Sequence, residues 1–365
     1  MSSLYRSRLR DLVNLMGKRN WDTLILYGHT WRKDFFRSLV NVNFSGPHAF
    51  AVLREPFALL HKGQAPEIIV ADPWDAELFS DAGFSVAAAT GVEQALASCA
   101  TGRVAVAGLE MMEARFVSAV DAPPESATFE VEELRHVKST EEIACIRKAA
   151  DLADRGYQFF ARTVEPGMAE YELVAEVEAF LKANGAEDNF MLIASGGVEV
   201  TGMKPPTERR FRAGDSVTTE LTPQVNGYWA QICRTLVIGE PSAGQKESFA
   251  IFSEAQKAAE DFLRPGVDIA DVARVQNDVF RKYGYGEYTG PTYTRVRGHG
   301  LGLHCDENPW ILEDVHYTVK EGMVVIAHPN TYLPLSGYMV FGDTLLVTAN
   351  GCEPMNKAER KLFQR

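Results

Sequence analysis

The chain has 365 residues, 46% of them hydrophobic and 24% charged, which is more than one ordinary core needs and fits two domains or one large α/β architecture. Acidic residues number 49 against 37 Lys and Arg, giving a formal charge of −12 with no basic run, so nucleic acid is excluded as the main partner. Five cysteines lie far apart and never as C-x-x-C, and no stretch reaches the ~18 to 20 apolar residues of a membrane span; the reading is a cytoplasmic protein with reduced thiols and no targeting or membrane segment.

Leu9, Leu12, Val13 and Met16 recur at helical spacing and predict a helix over 4–18, which leads into a strand over 21–27. Short apolar runs at 48–53, 57–61, 67–71 and 104–107 then alternate with helix-like stretches at 75–82 and 92–97. Together they predict a small α/β domain with a mixed sheet. The pattern breaks at the double proline Pro123-Pro124, and the boundary is placed so that the domains are 1–128 and 129–365.

Beyond the boundary, Ser139 followed three residues later by Glu142 is a helix-capping signature ahead of a predicted helix over 142–162. A second helix is predicted over 170–184. Strands follow at 190–194, 216–221, 228–238, 323–326 and 344–347, with helices at 242–262 and 269–283 between them. The second half therefore reads as α+β, with antiparallel strands and helices packed outside.

Several segments of this half share one known pattern. Leu134-Arg135-His136-Val137-Lys138-Ser139 with Glu141-Glu142-Ile143, the turn Arg212-Ala213-Gly214-Asp215, Gly227-Tyr228, Cys233-Arg234-Thr235, Gly298-His299-Gly300-Leu301-Gly302, Glu307, Pro309, Glu321-Gly322-Met323, Pro329 and Asp343 occur in order. The chain in this way resembles the pita-bread family of methionine aminopeptidase, aminopeptidase P, prolidase and creatinase. The small first domain resembles the two-domain branch of that family. The resemblance implies a creatinase-like amino-terminal domain, a pita-bread catalytic-type domain and a homodimer in which the first domain approaches the partner's active site.

Peptidases of this family hold two divalent metals with Asp, Asp, His, Glu and Glu, because hard cations take several anionic oxygens and a shared water becomes the nucleophile. Carried over, those positions are Glu220, Gln231, His299, His328 and Gly342. Gln231 brings no negative charge and Gly342 no side chain, so the expectation is that a dinuclear centre is absent. Glu220, His299 and His328 form a set suited to at most one mononuclear transition metal ion, and the competing expectation is that no cofactor is required. At the position of creatinase's histidine base stands Met203, which accepts no proton, and Cys233 replaces the glutamate before the Arg-Thr pair.

The candidates for proton transfer are then His299, His328, Glu220, Asp306 and Glu307. Substrate contacts are expected from Met203, Tyr228, Gln231, Cys233 and His304, and from Arg32 and Arg37, which follow the first strand and suit a substrate carboxylate. Cys233 also has a reading as a thiolate nucleophile, and Arg234 as structural support beneath the site. This retention of ionisable residues leads to the expectation of a non-peptidase small-molecule hydrolase or lyase, creatinase-like, cleaving a C–N bond of a carboxylated nitrogen-containing metabolite. The alternatives are an inactive pita-bread protein that binds a peptide or protein and, third, an Xaa-Pro peptidase.

Overall fold

A computed structural model of the chain describes residues 3–54, 65–87, 91–120 and 123–365. The expected strand at 57–61 lies outside the described residues. The chain divides into two compact units, Met1–Arg135 and His136–Arg365. The division falls later than the expected 128/129 because helix Thr128–His136 starts there and packs its Val131 and Leu134 into the core of the first unit.

In the first unit, strands β1 (Thr23–His29), β2 (His48–Arg54), β3 (Glu67–Val70), β4 (Ser85–Ala87), β5 (Val104–Ala107) and β6 (Glu125–Ser126) form a sheet in the order β4-β3-β2-β1-β5-β6. β1 pairs antiparallel with β2 and parallel with β5, so the sheet is mixed. Alternation along β1 serves two cores: Leu24 and Leu26 face helix Ser3–Arg19 through Leu9, Leu12 and Met16, while Ile25 and Tyr27 pack with Val92 and Leu96 of helix Val92–Cys99. Both faces are covered by helices, as for an α/β layer.

The second unit is built on strands β7 (Asp188–Gly196), β8 (Ser216–Val225), β9 (Tyr228–Trp229), β10 (Ile232–Val237), β11 (Gly298–Gly300), β12 (Glu307–Trp310), β13 (Val324–Ala327), β14 (Asn330–Leu333), β15 (Gly337–Val340), β16 (Gly342–Thr348), β17 (Gly351–Pro354) and β18 (Phe363–Gln364). The main path runs β12-β11-β13-β16-β10-β8-β7, and β14-β15 is a separate hairpin. Helix Thr140–Thr163 starts at the expected Ser139–Glu142 capping box. Its buried Leu152, Ala153, Tyr157 and Phe160 join Leu173, Val177 and Leu181 of helix Glu170–Ala183 against Val217, Leu221 and Ile232 of the sheet. Helices Ala243–Phe262 and Ile269–Lys282 bury Ala259, Val272 and Ala273 against Val325, Ala327 and Leu345 of β13 and β16. Among the described residues no helix is long and apolar enough to cross a membrane.

Register explains how distant residues meet. Cys233 of β10 lies opposite Glu220 of β8 on one side and Gly342 of β16 on the other, and Glu220 in turn lies opposite Leu192 of β7. One row across the sheet therefore carries three of the positions singled out above. On the far side of β13, His299 of β11 lies opposite Ile326, and His328 directly follows β13. Gly298, at φ +143°, allows this approach, because a Cβ there would stand 2.0 Å from the Ile326 carbonyl oxygen.

Candidate active site

Arg234 anchors the floor of the row. Fully buried, it pairs with the equally buried Asp343 at 2.8 Å and donates to the carbonyls of Gly342 at 2.8 Å and Cys233 at 3.0 Å. It is structural support, as its place in the sequence implies. Above it, the Gln231 side-chain amide donates to the Cys233 sulfur at 3.2 Å. Burial pushes the Cys233 thiol well up, and Glu220 adds to the shift. A thiolate is thus disfavoured at Cys233.

Glu220 is buried, with His328 Nδ1 3.9 Å from its carboxyl, and among the described residues no Lys or Arg pairs with it. Burial, with a smaller contribution from Asp306, raises its carboxyl to about 8, so Glu220 carries a proton at neutral pH. The two histidines shift the other way. Burial lowers His299, opposed by Asp306, and lowers His328 well below the usual range, with His299 and Arg297 adding to the fall. Their rings meet edge to face, with centroids 5.3 Å apart.

The hydrogen bonds fix where protons sit. The Gly300 carbonyl can only accept, so His299 donates Nδ1–H to it at 2.9 Å. Neutral His299 then presents a bare Nε2 to the Asp306 carboxylate oxygen 3.2 Å away. Two acceptors face each other across that gap, and a proton delivered there is held by both. The Asp306 side chain is 38% exposed, which gives the pair access to water.

The remaining expected residues are committed elsewhere. Glu307 pairs with buried Lys138 at 3.0 Å and accepts the backbone N–H groups of Leu303 at 3.0 Å and His304 at 3.2 Å. It shapes the loop after the glycine-rich strand, with both oxygens engaged. Tyr228 donates its hydroxyl to Glu142 at 3.1 Å, and His304, half-buried, bonds the Asp306 backbone through Nδ1. Met203 packs with Cys233, Leu301 and Tyr338 as an apolar wall. In the first unit, Arg37 is buried and donates to Asn41 at 2.9 Å, while Arg32 holds Asp34 at 3.1 Å. A cavity of about 250 Å³ is lined by Glu170, Ser195, Glu199, Lys204, Thr207 and Arg209 among others, and the central histidines and Glu220 are not among its walls.

Three site residues escape the sequence reading. Tyr338 of β15 is buried, hydrogen-bonds Thr294, and lies within electrostatic reach of Glu220 and Cys233, all of which raise or tune its phenol. Arg297 is fully buried, and burial lowers it to about 10. Asn330 lies between Arg297 and His328. A glycine-flanked aromatic in a four-residue strand and an arginine just before Gly298-His299 were the available signals, and neither has a periodicity that marks it.

The residues at the family's metal positions do not fit a pair of ions. Gln231 is neutral and bonded to Cys233. A Cβ at Gly342 would stand 2.4 Å from the Ala327 carbonyl oxygen and 2.5 Å from the His328 Cβ, so the backbone closes the place where the last carboxylate would stand. Among the described residues no group of three His, Cys, Asp or Glu side chains is gathered around one ion site.

Against known proteins, the profile of Metallopeptidase family M24 matches residues 144–349. The Xaa-Pro dipeptidase of Pyrococcus furiosus is 35% identical over 235 residues, 64% of this chain and 66% of that protein, and the Xaa-Pro dipeptidase of Pyrococcus horikoshii is 34% identical over 235 residues. The match thus spans just under two thirds of the length of these relatives. Among solved structures, the prolidase from Pyrococcus horikoshii OT3 superposes with a TM-score of 0.84 at 24% identity, covering 98% of this chain and 99% of that one. The prolidase from Pyrococcus furiosus gives 0.80 at 25%, covering 95% and 99%. The fold is that of the pita-bread proteins, with the expected small α/β unit ahead of it. The functional expectation is corrected by the same findings: relatives named Xaa-Pro dipeptidase overturn the non-peptidase reading, the lyase and creatinase-like labels, and the small nitrogen-containing metabolite as substrate.

Proposed function

Because the chain belongs to metallopeptidase family M24 and its relatives are named Xaa-Pro dipeptidase, we propose that it hydrolyses the amide bond of a short peptide of the Xaa-Pro kind. In this proposal the second unit carries the chemistry, and its own acid and base side chains do the work of a dinuclear centre. The observation that supports it most is the opposite displacement of neighbouring groups: Glu220 is raised to about 8 while His299 falls below its ordinary value. Neighbouring groups whose environments push their proton affinities apart are the mark of an acid and a base in one site.

The step balances with these residues alone. A water at the exposed edge of Asp306 adds its oxygen to the amide carbon, and its proton passes to the His299–Asp306 pair. Glu220 gives its proton to the amide nitrogen as the C–N bond breaks, releasing a carboxylic acid and an amine. The ionised Glu220 is then reprotonated from the His299–Asp306 pair, which restores both groups. A proton-transfer pair of this kind contributes roughly 10² to 10⁴-fold to rate. Tyr338 and Met203 belong to the apolar cluster on this side of the site, and burial keeps Glu220 in its acid form.

We further propose a homodimer, on the family resemblance, and a cytoplasmic setting, which the five free cysteines support. The test is release of free amino acid from a panel of Xaa-Pro and non-proline dipeptides, followed by chromatography. Cleavage of at least one supports the proposal; binding without cleavage across the panel overturns it.

A further inference from the structure

His328 has a hydrogen-bond arrangement that assigns it a role of its own. Its Nδ1 lies 3.1 Å from the side-chain nitrogen of Asn330. The orientation of that amide is set from the other side, because Arg297 donates to the Asn330 side-chain oxygen at 3.2 Å and to its backbone carbonyl at 2.9 Å. Arg297 is itself fixed, fully buried, with its Nε donating to Asn277 at 2.6 Å. An arginine has only donors, so the Asn330 oxygen must face it and the Asn330 NH₂ must face His328. The imidazole Nδ1 is therefore an acceptor, and the ring proton of neutral His328 sits on Nε2. That Nε2 is buried and, among the described residues, has no hydrogen-bond partner, in a residue only 4% exposed. A buried donor without an acceptor is destabilising, and an oxygen arriving in the site would relieve it.

We propose that Arg297 and Asn330 are positioning residues that lock His328 as an Nε2–H donor for the substrate's carbonyl oxygen, where negative charge develops during hydrolysis. The assignment of that oxygen rests on the peptide-hydrolase reading above; the locked tautomer does not. Such a donor stabilises developing charge without itself changing protonation, and a single donor of this type is worth roughly 10² to 10³-fold in kcat. The lock also explains why His328 is unsuited to a metal, since Nδ1 is occupied by an N–H and Nε2 has no lone pair to offer.

The experiment is a long-range proton–nitrogen correlation spectrum of the full chain labelled at histidine nitrogen, recorded near neutral pH, with the His328 signals identified by their loss in His328→Gln. The expected pattern is a protonated Nε2 and a bare Nδ1. In Asn330→Asp the carboxylate accepts from Nδ1, so the pattern reverses, and in Asn330→Ala the two tautomers mix. A proton on Nδ1 in the unsubstituted chain overturns the lock, as does an unchanged pattern in a folded Asn330 variant. Should neither variant fold, the spectrum of the unsubstituted chain alone decides the tautomer. Addition of Ala-Pro should shift the Nε2–H proton downfield, and kcat for that dipeptide should fall about 100-fold in His328→Gln with little change in KM. Binding of Ala-Pro that leaves this proton unmoved overturns the donor role. If no dipeptide of the panel above is bound or cleaved, the peptide reading fails and takes the carbonyl assignment with it, whereas the tautomer pattern stands or falls on its own spectrum.

Discussion

Glu220→Gln separates the acid character of Glu220 from its packing, because glutamine has nearly the same volume and cannot ionise. The folded chain holds this proton up to about pH 8, while an unfolded chain releases it near the ordinary value of 4.5. Across that window the folded state binds more protons than the unfolded one, so the contribution of Glu220 to stability falls as pH rises and levels off above the folded value. Integrated from about pH 5 to about pH 8, the loss is on the order of 3 to 4 kcal/mol, since each unit of pH in that window is worth roughly 1.4 kcal/mol. Other titrating groups are common to both proteins, so the difference between them isolates Glu220. Urea unfolding of each at both pH values should show the glutamine variant gaining about that much relative to the unsubstituted chain on going to the higher pH. Parallel pH–stability curves would refute the reasoning, because they would mean that Glu220 is already ionised in the folded chain.

Other consequences can be checked on the same preparations. Asp343→Ala leaves the fully buried Arg234 without its carboxylate and should cost about 3 to 5 kcal/mol in urea unfolding, whereas breaking an exposed pair such as Lys246–Glu240 should leave the urea midpoint nearly unchanged. Cys233, its thiol pushed well up by burial, should escape iodoacetamide in the native chain near neutral pH and react only after unfolding, as read by peptide mass spectrometry; native labelling at a rate typical of free thiols would contradict this. Gly342→Glu places its Cβ within 2.5 Å of the Ala327 carbonyl oxygen and the His328 Cβ, and should lower stability by about 3 kcal/mol or more without creating a two-metal site, as read by unfolding and by metal content.

Much of the scaffold is legible in the sequence because it depends on local pattern. The 3.6-residue spacing of Leu9, Leu12, Val13 and Met16 predicts the first helix, and Ser139 with Glu142 marks the capping box that the structure forms. Strands β11 and β12 and the β14-β15 hairpin are not legible, being three or four residues long and rich in glycine or polar residues, too short for alternation to show. The site divides in the same way. Residue identity and order locate Glu220, His299, His328 and Asp306, and show which metal donors are replaced. They do not show where the protons sit, since that depends on contacts such as Arg297 to Asn330, and Lys138 to Glu307, 169 positions along the chain. Glu307 illustrates the gap: ionisable and beside the glycine-rich strand, it reads as a proton carrier, yet both of its oxygens are engaged in holding the loop. Replacement of the metal donors points, by residue identity alone, away from peptidase function, and the dipeptidase relatives overturn that expectation.

The most direct test of the account is the rate of Ala-Pro hydrolysis after exhaustive treatment with a chelator, measured across pH for the unsubstituted chain and for Glu220→Gln. The account predicts that cleavage survives chelation, declines as pH rises through about 8 as Glu220 loses its proton, and falls at least about 100-fold in the glutamine variant. Activity that vanishes on chelation and returns with added manganese would contradict it, as would an equal rate in the two proteins.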